Sequence, residues 1–246
     1  MDEKILKLHK ILKNSRNICV FTGAGISCPS GIPDFRSADG LYNQKSGLNI
    51  PPEEIISHTF FTAHTDLFYD FYKSKMLYPD ALPNAAHRFF ADLEREGKTV
   101  SVVTQNIDGL HTAAGNSRVY EIHGSVLRNH CMHCGAFYGV DTIAQSDGVP
   151  HCAKCGGVIK PDVVLYEEPL DEKTVRGAVN AISAADTMVI IGTSLVVYPA
   201  ASYVRYFGGD NLVILNKTAT DYDRLANLTI YDDIVHIVEQ VKAIRP

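Results

Sequence analysis

No stretch of the chain approaches the run of about 20 apolar residues needed to span a bilayer, so a membrane-crossing helix is not expected. Basic runs are missing too. The 23 lysines and arginines are scattered, which argues against a sequence-independent grip on nucleic-acid phosphates. The N-terminus lacks the apolar core of a secretory signal and reads as a charged amphipathic segment. The protein is therefore expected in the cytoplasm, with neither membrane nor nucleic acid among its partners. Internal repeats and low-complexity tracts are absent as well. What is present is an ordinary soluble globular composition: 246 residues, 46% hydrophobic, 21% charged, formal charge -5. That length can bury a large core as one domain, or as one domain carrying an insertion.

Of the six cysteines, four fall as Cys131-x-x-Cys134 and Cys152-x-x-Cys155, with residues 135–151 between the pairs. This spacing suits a tetrahedral thiolate site. The surrounding segment, about 126–160, is rich in glycine turns and poor in large apolar residues, so it cannot bury enough surface to hold itself. A structural Zn²⁺ supplies the missing cross-link. His130, His133 and His151 leave a mixed Cys/His ligand set open, and a redox dithiol is the other reading. Disulfides do not suit a cytosolic chain. Cys19 sits in an apolar strand and Cys28 in a loop, and neither needs a partner.

Elsewhere short apolar runs alternate with amphipathic segments. Asp2 to Asn14 places Ile5, Leu8, Ile11 and Leu12 on one helical face. Ile18-Cys-Val-Phe-Thr22 reads as a buried strand and ends in Gly23-Ala24-Gly25-Ile26-Ser27. A strand followed by Gly-x-Gly opens dinucleotide sites: the glycines let backbone N–H groups approach a pyrophosphate, and the following helix N-terminus favours its charge. Here the third glycine of that fingerprint is missing, since Cys28 follows Ser27, and no acidic residue closes a second strand about 20 residues on. A glycine turn without a ligand is the plain alternative.

Ser30-Gly31-Ile32-Pro33-Asp34-Phe35-Arg36 continues as a loop in which Phe35 can cover a flat ring and Arg36 can reach a phosphate or ribose. A surface turn with an Asp34–Arg36 ion pair explains the same residues. Ser37 to Pro52 is polar and long enough to suit a functional lid. Phe60, Phe61, Phe68, Tyr69, Phe71, Tyr72 and Tyr78 recur at helical intervals, as in a small helical module whose rings are mostly core. Asn84 caps a helix through about Arg95, and Gly97 stops it.

The centre of the chain is Thr104-Gln105-Asn106-Ile107-Asp108, followed by His123-Gly124. It leaves the β-branched strand Thr99–Val103, so its polar side chains emerge at a strand's C-terminal edge, where open α/β sheets keep their chemistry. An amide, a carboxylate and an imidazole at such an edge can hold a carboxamide, pair with a cationic ring and move a proton. The competing reading is a polar turn capping a helix that starts at Ile107. After Pro161 the alternation resumes with Val163-Val-Leu165, a helix from Asp171 to Ser183, a strand Thr187–Ile191 ending in Gly192-Thr193-Ser194-Leu195, a helix Pro199–Tyr206, a strand Leu212–Leu215 with Asn216 at its edge, and a terminal helix from Asp232 to Ile244.

Taken in order, Gly23-Ala-Gly-Ile-Ser27, Gly31-Ile-Pro-Asp-Phe-Arg36, Thr104-Gln-Asn-Ile-Asp108, His123-Gly124, the two cysteine pairs and Gly192-Thr-Ser-Leu195 resemble the sirtuin family of NAD-dependent protein deacylases. The resemblance runs from Phe21 to about Asp233. It implies an α/β fold: a Rossmann-like doubly wound parallel sheet (about 1–36, 83–125 and 161–246), a helical and lid insertion (about 37–82) and a small zinc-ribbon module (about 126–160). NAD as co-substrate and acylated-lysine proteins or peptides as partners follow from the same resemblance, as does one structural zinc on Cys131, Cys134, Cys152 and Cys155.

Carried over residue by residue, the family pattern makes His123 a general base that takes a proton from a ribose hydroxyl after the acyl oxygen has attacked C1′ and nicotinamide has left. Asn106 and Asp108 hold the nicotinamide end, Asp108 accepting from its carboxamide, and Ile107 walls that pocket. Gly23, Ala24, Gly25, Cys28, Phe35 and Arg36 contact NAD. Gln105 and Asn216 reach ribose hydroxyls, Gly192, Thr193 and Ser194 take phosphate or ribose oxygens, Lys217 joins the cofactor set and Asp233 sits near adenine. Val163, Val164, Leu165 and Tyr166 contact the acyl-lysine substrate, which adds as a strand. The segment departs from the family's aromatic-Gly-Glu: here it is Tyr166-Glu167-Glu168. Members that remove succinyl or malonyl groups carry a Tyr-x-x-Arg pair where this sequence has Tyr69-Asp70-Phe71-Tyr72, which implies acetyl or uncharged longer acyl groups as substrates. Protein mono-ADP-ribosylation through the same site, and a non-catalytic NAD-binding module, are the competing readings.

Overall fold

The structure is a computed structural model that describes residues 2–37, 40–43 and 50–244. In chain order the strands are β1 (Asn17–Thr22), β2 (Thr99–Thr104), β3 (Val119–Glu121), β4 (Gly124–Cys131), β5 (Phe137–Tyr138), β6 (Ile159–Val163), β7 (Thr187–Ile191), β8 (Asn211–Asn216) and β9 (Leu228–Tyr231). The α-helices are α1 (Glu3–Asn14), α2 (Pro52–Ile55), α3 (His58–Ala63), α4 (Thr65–Lys75), α5 (Ala85–Arg95), α6 (Leu110–Ala114), α7 (Val140–Ala144), α8 (Glu172–Ser183) and α9 (Ile234–Ala243).

Six strands form one parallel sheet in the order β3-β2-β1-β7-β8-β9. This is the doubly wound arrangement, and the winding reverses between β1 and β7. Helices cover both faces, so successive residues of one strand enter opposite cores. From β1, Ile18 and Val20 pack with α1, α5 and α9, whereas Cys19 and Phe21 pack with α8. Burial on both sides is why these strands read as continuous apolar runs. Each fully buried side chain the size of Phe21 contributes about 2–3 kcal/mol. Caps fix the helix starts: Asp2 accepts from Lys4 N at 2.8 Å, and Asn84 and His87 form a reciprocal capping box on α5.

A second, antiparallel sheet has the order β5-β4-β6. Its inner face shares a third core with α2, α3 and α4, where Phe60, Phe61 and Phe68 meet Val126, Ile159 and Val163. The aromatic repeat of the helical module is therefore core from Phe60 to Tyr72, with Phe68 stacked on Tyr72 at 5.5 Å, and only its last member, Tyr78, lies outside that core.

Several elements differ from the sequence reading. The Val163–Leu165 run does not join the parallel sheet; β6 begins at Ile159 and pairs antiparallel with β4, because residues 124–131 lie alongside as its partner. The helix from Ile107 in the competing reading of that stretch starts instead at Leu110, since Gly109 takes a left-handed φ of 74° and breaks the turn before it. Pro199–Tyr206 is a 3-10 segment, Ala200–Tyr206. Strands β3 and β9 had no counterpart in the sequence reading. In the lid region 37–52, residues 38–39 and 44–49 lie outside the described residues, and Leu41–Asn43 forms one 3-10 turn.

Candidate active site

β1, β2, β3, β7 and β8 are parallel, so they deliver the Gly23, Gln105, His123, Gly192 and Lys217 segments to one edge of the sheet. At the reversal point the two glycine turns pack directly on each other. A Cβ on Gly25 would stand 2.6 Å from Gly192 Cα, and one on Gly192, whose φ is 59°, would stand 2.5 Å from Ile26 N. Glycine is required there for backbone contact. The N–H groups of Gly23 and Gly25 are taken by Ile191 O (3.0 Å) and Gly192 O (2.9 Å). They are thus not free for a pyrophosphate, as the Gly-x-Gly reading expected. Two 3-10 turns, Ala24–Ile26 and Cys28–Ser30, stand where an α-helix was anticipated, so the helix-dipole contribution expected at that turn is missing.

The polar cluster after β2 is tied to this turn. Ser27 Oγ donates to Asp108 Oδ2 at 2.7 Å and accepts from Asn106 Nδ2 at 3.0 Å, and Leu110 N donates to Asp108 Oδ1 at 2.9 Å. Burial pushes the Asp108 carboxyl above its ordinary value, while these three neighbours pull it back. Below them Thr104 Oγ1 accepts from Asn106 N at 3.0 Å and from Thr22 Oγ1 at 2.8 Å. Gln105 Nε2 donates to Thr193 Oγ1 at 3.0 Å, and Asn216 brackets Thr193 through its N–H (3.2 Å) and C=O (3.0 Å).

His123 follows β3, and the left-handed Gly124 after it approaches Asp162 O so closely that a Cβ would lie 1.7 Å away. His123 Nδ1 lies 2.9 Å from Gln105 O. A carbonyl only accepts, so Nδ1 carries the proton and Nε2 keeps its lone pair. Burial holds the imidazole below its ordinary value, which favours the neutral, basic form.

The opposite wall comes from the loop after Ser30 and from the segment after β6. Asp34 Oδ1 accepts from Arg36 N (2.9 Å) and Ser37 N (2.7 Å), so it caps this turn. The Arg36 guanidinium lies 5.5 Å from the Tyr42 ring centroid, not on Asp34 in the ion pair considered from sequence. Val164 N donates to His123 O at 3.0 Å, tying the Val163–Tyr166 segment to the imidazole's own backbone. Burial and Asp34 push the Cys28 thiol up, away from thiolate reactivity.

These pieces enclose one cavity of about 1150 Å³, as large as the bigger small-molecule sites. Every cofactor and substrate position expected from sequence lines it, except Asp233. Asp233 caps α9 through Val235 N at 2.9 Å, pairs with Lys217 at 3.1 Å and faces a separate shallow groove. Its neighbours Asp232 and Ile234 reach the cavity instead.

Away from the cavity, the Sγ atoms of Cys131, Cys134, Cys152 and Cys155 all lie within 4.8 Å of one another. The separations of 3.5 Å for Cys131–Cys155 and 3.6 Å for Cys134–Cys152 are close to the spacing of four thiolates held about 2.3 Å from one zinc. Among the described residues no histidine joins this cluster, and His151 Nδ1 is engaged by Gly156 O at 3.0 Å. The Tyr138 hydroxyl donates to Cys152 Sγ at 3.0 Å.

A family model described as the Sir2 family matches residues 23–199. The chain is 55% identical over 242 residues to an NAD-dependent protein deacetylase of Clostridium perfringens, covering 98% of this chain and 99% of that one. To the enzyme of the same name from Clostridium acetobutylicum it is 52% identical over 240 residues, covering 97% and 98%. The chain belongs to the Sir2 family. Among solved structures, a Sir2 variant with deacetylated p53 peptide and 3′-O-acetyl ADP ribose superposes with a TM-score of 0.87 at 39% identity, covering 96% of each chain. A Sir2 complex with p53 peptide and NAD+ gives 0.83 at 39% identity, covering 98% and 97%.

Within this Sir2 chain, two positions weighed for acyl choice fall elsewhere. Tyr69 and Tyr72 are both 0% exposed, Tyr69 donating its hydroxyl to Ile159 O, and neither lines the cavity. Their spacing matches the Tyr-x-x-Arg pair, but their rings turn into the third core. The helical module reaches the cavity through Lys75, Met76 and Tyr78 instead. Ser27 was missed as a site residue: it reads as one more residue of a glycine turn, and its partners lie 79 and 81 positions away.

Proposed function

We propose that this Sir2 chain is an NAD-dependent protein-lysine deacetylase, converting acetyl-lysine, NAD and water to lysine, nicotinamide and O-acetyl-ADP-ribose. The observation that carries the reading is the arrangement of His123, with Nδ1 committed to Gln105 O, on the same cavity as the Ser27–Asn106–Asp108 cluster and the paired glycine turns. When bound, NAD supplies an electrophilic anomeric carbon and nicotinamide as leaving group.

The chain's own residues do the rest. Asp108, aligned by its hydrogen bonds to Ser27 and Leu110, accepts from the carboxamide of nicotinamide, while Asn106 orients it and Ile107 walls it. Ala24, Cys28, Phe35 and Arg36 cover the cofactor, Gln105, Thr193, Ser194 and Asn216 meet its ribose and phosphate oxygens, and Lys217 flanks them. His123 Nε2 takes the proton of a ribose hydroxyl, which a neutral imidazole in a partly dry site can do at cellular pH. Val163, Val164, Leu165 and Tyr166 contact an extended acetyl-lysine peptide. The four thiolates hold one structural zinc whose shell they fill, leaving the metal no role in the chemistry.

The parallel-sheet part, the helical insertion and the zinc module act as one catalytic unit. Acetyl and other uncharged acyl groups are its substrates. We place the enzyme in the cytoplasm and count neither nucleic acid nor membrane among its partners, on the scattered basic residues and modest hydrophobicity of the sequence. Incubation with acetyl-, long-acyl- and succinyl-lysine peptides, with and without NAD, followed by mass analysis of both products, tests this. Expected is NAD-dependent loss of acetyl matched by O-acetyl-ADP-ribose. ADP-ribose appearing on protein, or succinyl removed faster than acetyl, contradicts it.

A further inference from the structure

Where α5 packs on α6, three buried side chains end in polar atoms with no hydrogen-bond partner among the described residues: His87 Nε2, His111 Nδ1 and Asn116 Oδ1. The three residues are 0%, 2% and 4% exposed. The two rings meet edge-on with centroids 4.8 Å apart, and Asn116 follows α6 with its N–H on His111 O at 3.2 Å. Leaving any one such atom unpaired in the interior costs about 1–3 kcal/mol, so this group calls for a shared partner.

Their neighbours fix what that partner must be. Asn84 N donates to His87 Nδ1 at 3.3 Å, so in the neutral ring the proton sits on Nε2, a donor. Thr22 directs its one hydroxyl proton to Thr104 Oγ1 at 2.8 Å. The 3.1 Å bond between His111 Nε2 and Thr22 Oγ1 must then run from ring to hydroxyl, which leaves Nδ1 a bare lone pair, an acceptor. Asn116 Nδ2 donates to Glu94 Oε2 at 3.1 Å, so the other end of that amide is its oxygen, a second acceptor. Burial holds both imidazoles below their ordinary value, so neither takes up a second proton. One donor and two acceptors are the complement of a single water, which accepts once and donates twice. Buried waters make about three such bonds.

We propose that a buried water bridges His87 Nε2, His111 Nδ1 and Asn116 Oδ1 and, by fixing the tautomer of His111, makes that ring a positioning residue for Asn106. With the water donating to Nδ1, His111 donates its N–H to Thr22 and Thr22 donates to Thr104, whose Oγ1 also accepts from Asn106 N at 3.0 Å. In the other tautomer the bare Nε2 would draw the Thr22 hydroxyl proton away from Thr104. That would undo the side-chain tie between the last residues of β1 and β2, which lie opposite one another. Neither ring lines the cavity, so the effect reaches the nicotinamide end only along this chain of bonds. The positioning role rests on the deacetylase reading above, in which Asn106 faces nicotinamide; the water site does not.

Measurements on the zinc-loaded full chain test both parts. A high-resolution crystal structure should show an ordered water within about 3.2 Å of all three atoms. Direct contacts among those atoms, or no density between them, overturn the water site. Nitrogen NMR of histidine-labelled protein should give His111, identified by its loss in His111→Gln, the Nε2–H tautomer, opposite to the Nδ1–H form of His123. An Nδ1–H form of His111 overturns the proposal. Calorimetric titration of a carbocyclic NAD analogue, which cannot release nicotinamide, then compares the original chain with two variants. His111→Gln keeps an N–H that can reach Thr22, and His111→Leu has none. Both variants should melt at lower temperature, but only His111→Leu should bind the analogue about tenfold or more weakly, with His111→Gln within about threefold of the original. Equal weakening in the two, or none in His111→Leu, overturns the positioning role. Failure of the original chain to bind the analogue at all overturns the deacetylase reading and that role with it, while the crystallographic water is judged separately.

Discussion

The Ser27 hydroxyl donates to Asp108 Oδ2 at 2.7 Å, joining the turn after β1 to the motif after β2. The same oxygen accepts from Asn106, so one small buried side chain orients both polar groups proposed to face nicotinamide. Their alignment over the cofactor therefore depends on a residue that need not contact it.

Ser27→Ala removes a hydrogen bond to a carboxylate, an interaction worth about 1.5–3 kcal/mol, and leaves Asn106 Nδ2 without this acceptor. We expect kcat/KM for NAD to fall about tenfold or more. Because Ser27 is among the groups holding the Asp108 carboxyl down against burial, the acid limb of the activity profile moves to higher pH in the variant. An acid limb unchanged in Ser27→Ala would show that Asp108 ionisation does not govern binding.

His123→Ala is expected to abolish turnover while leaving folding and NAD binding largely intact. Burial holds His123 below its ordinary value, so the neutral form persists at pH values where a free imidazole is already protonated. The loss of activity attributable to this ring therefore begins below about pH 6.5. Retained turnover in His123→Ala removes the proposed base.

Zinc removal should unfold the module around β4–β6 and lower the melting temperature, because its four thiolates are its cross-link. Tyr138→Phe deletes the hydroxyl that donates to Cys152 Sγ. Partners of this kind govern metal retention, so zinc transfer to a chromophoric chelator should accelerate about tenfold. A chelated protein that stays folded and fully active contradicts the structural role.

His87 and His111 lie with ring centroids 4.8 Å apart beneath the site, both buried. Burial lowers His87 to about 4 and His111 well below its ordinary value, so the folded protein keeps them neutral. The unfolded chain starts to bind these protons near pH 6.5, so stability is complete above that value and is lost as pH falls towards 4. The contribution from His87 alone is on the order of 3 kcal/mol at the lower end. Urea denaturation at pH 7.5, 6 and 5 should show stability falling with pH; a flat profile contradicts neutral burial.

The parallel strands were legible because burial on both faces leaves unbroken apolar runs, as in Ile18–Phe21 and Met188–Ile191. The glycine turns were legible too, but not their reason: Gly25 and Gly192 are small so that two backbones can touch, a demand set by residues 167 positions apart (192 − 25). Short edge strands such as Leu228–Tyr231 carry too few residues to show a period. Tyr69 and Tyr72 show the converse, a spacing that resembles a channel motif on a helix whose rotation is set by the packing of Phe68 and Tyr69 against Phe61 of the preceding helix. Polar ties between distant segments, Ser27 to Asp108 and Tyr42 to Tyr166, leave no local pattern at all.

The most direct test is a crystal structure of the chain with the carbocyclic NAD analogue and an acetyl-lysine peptide. The carboxamide of nicotinamide should lie within about 3 Å of Asp108, and His123 Nε2 within about 3 Å of a ribose hydroxyl, or one water away. A ribose bound beyond reach of His123, or a nicotinamide ring seated away from Asn106 and Asp108, would contradict the deacetylase assignment.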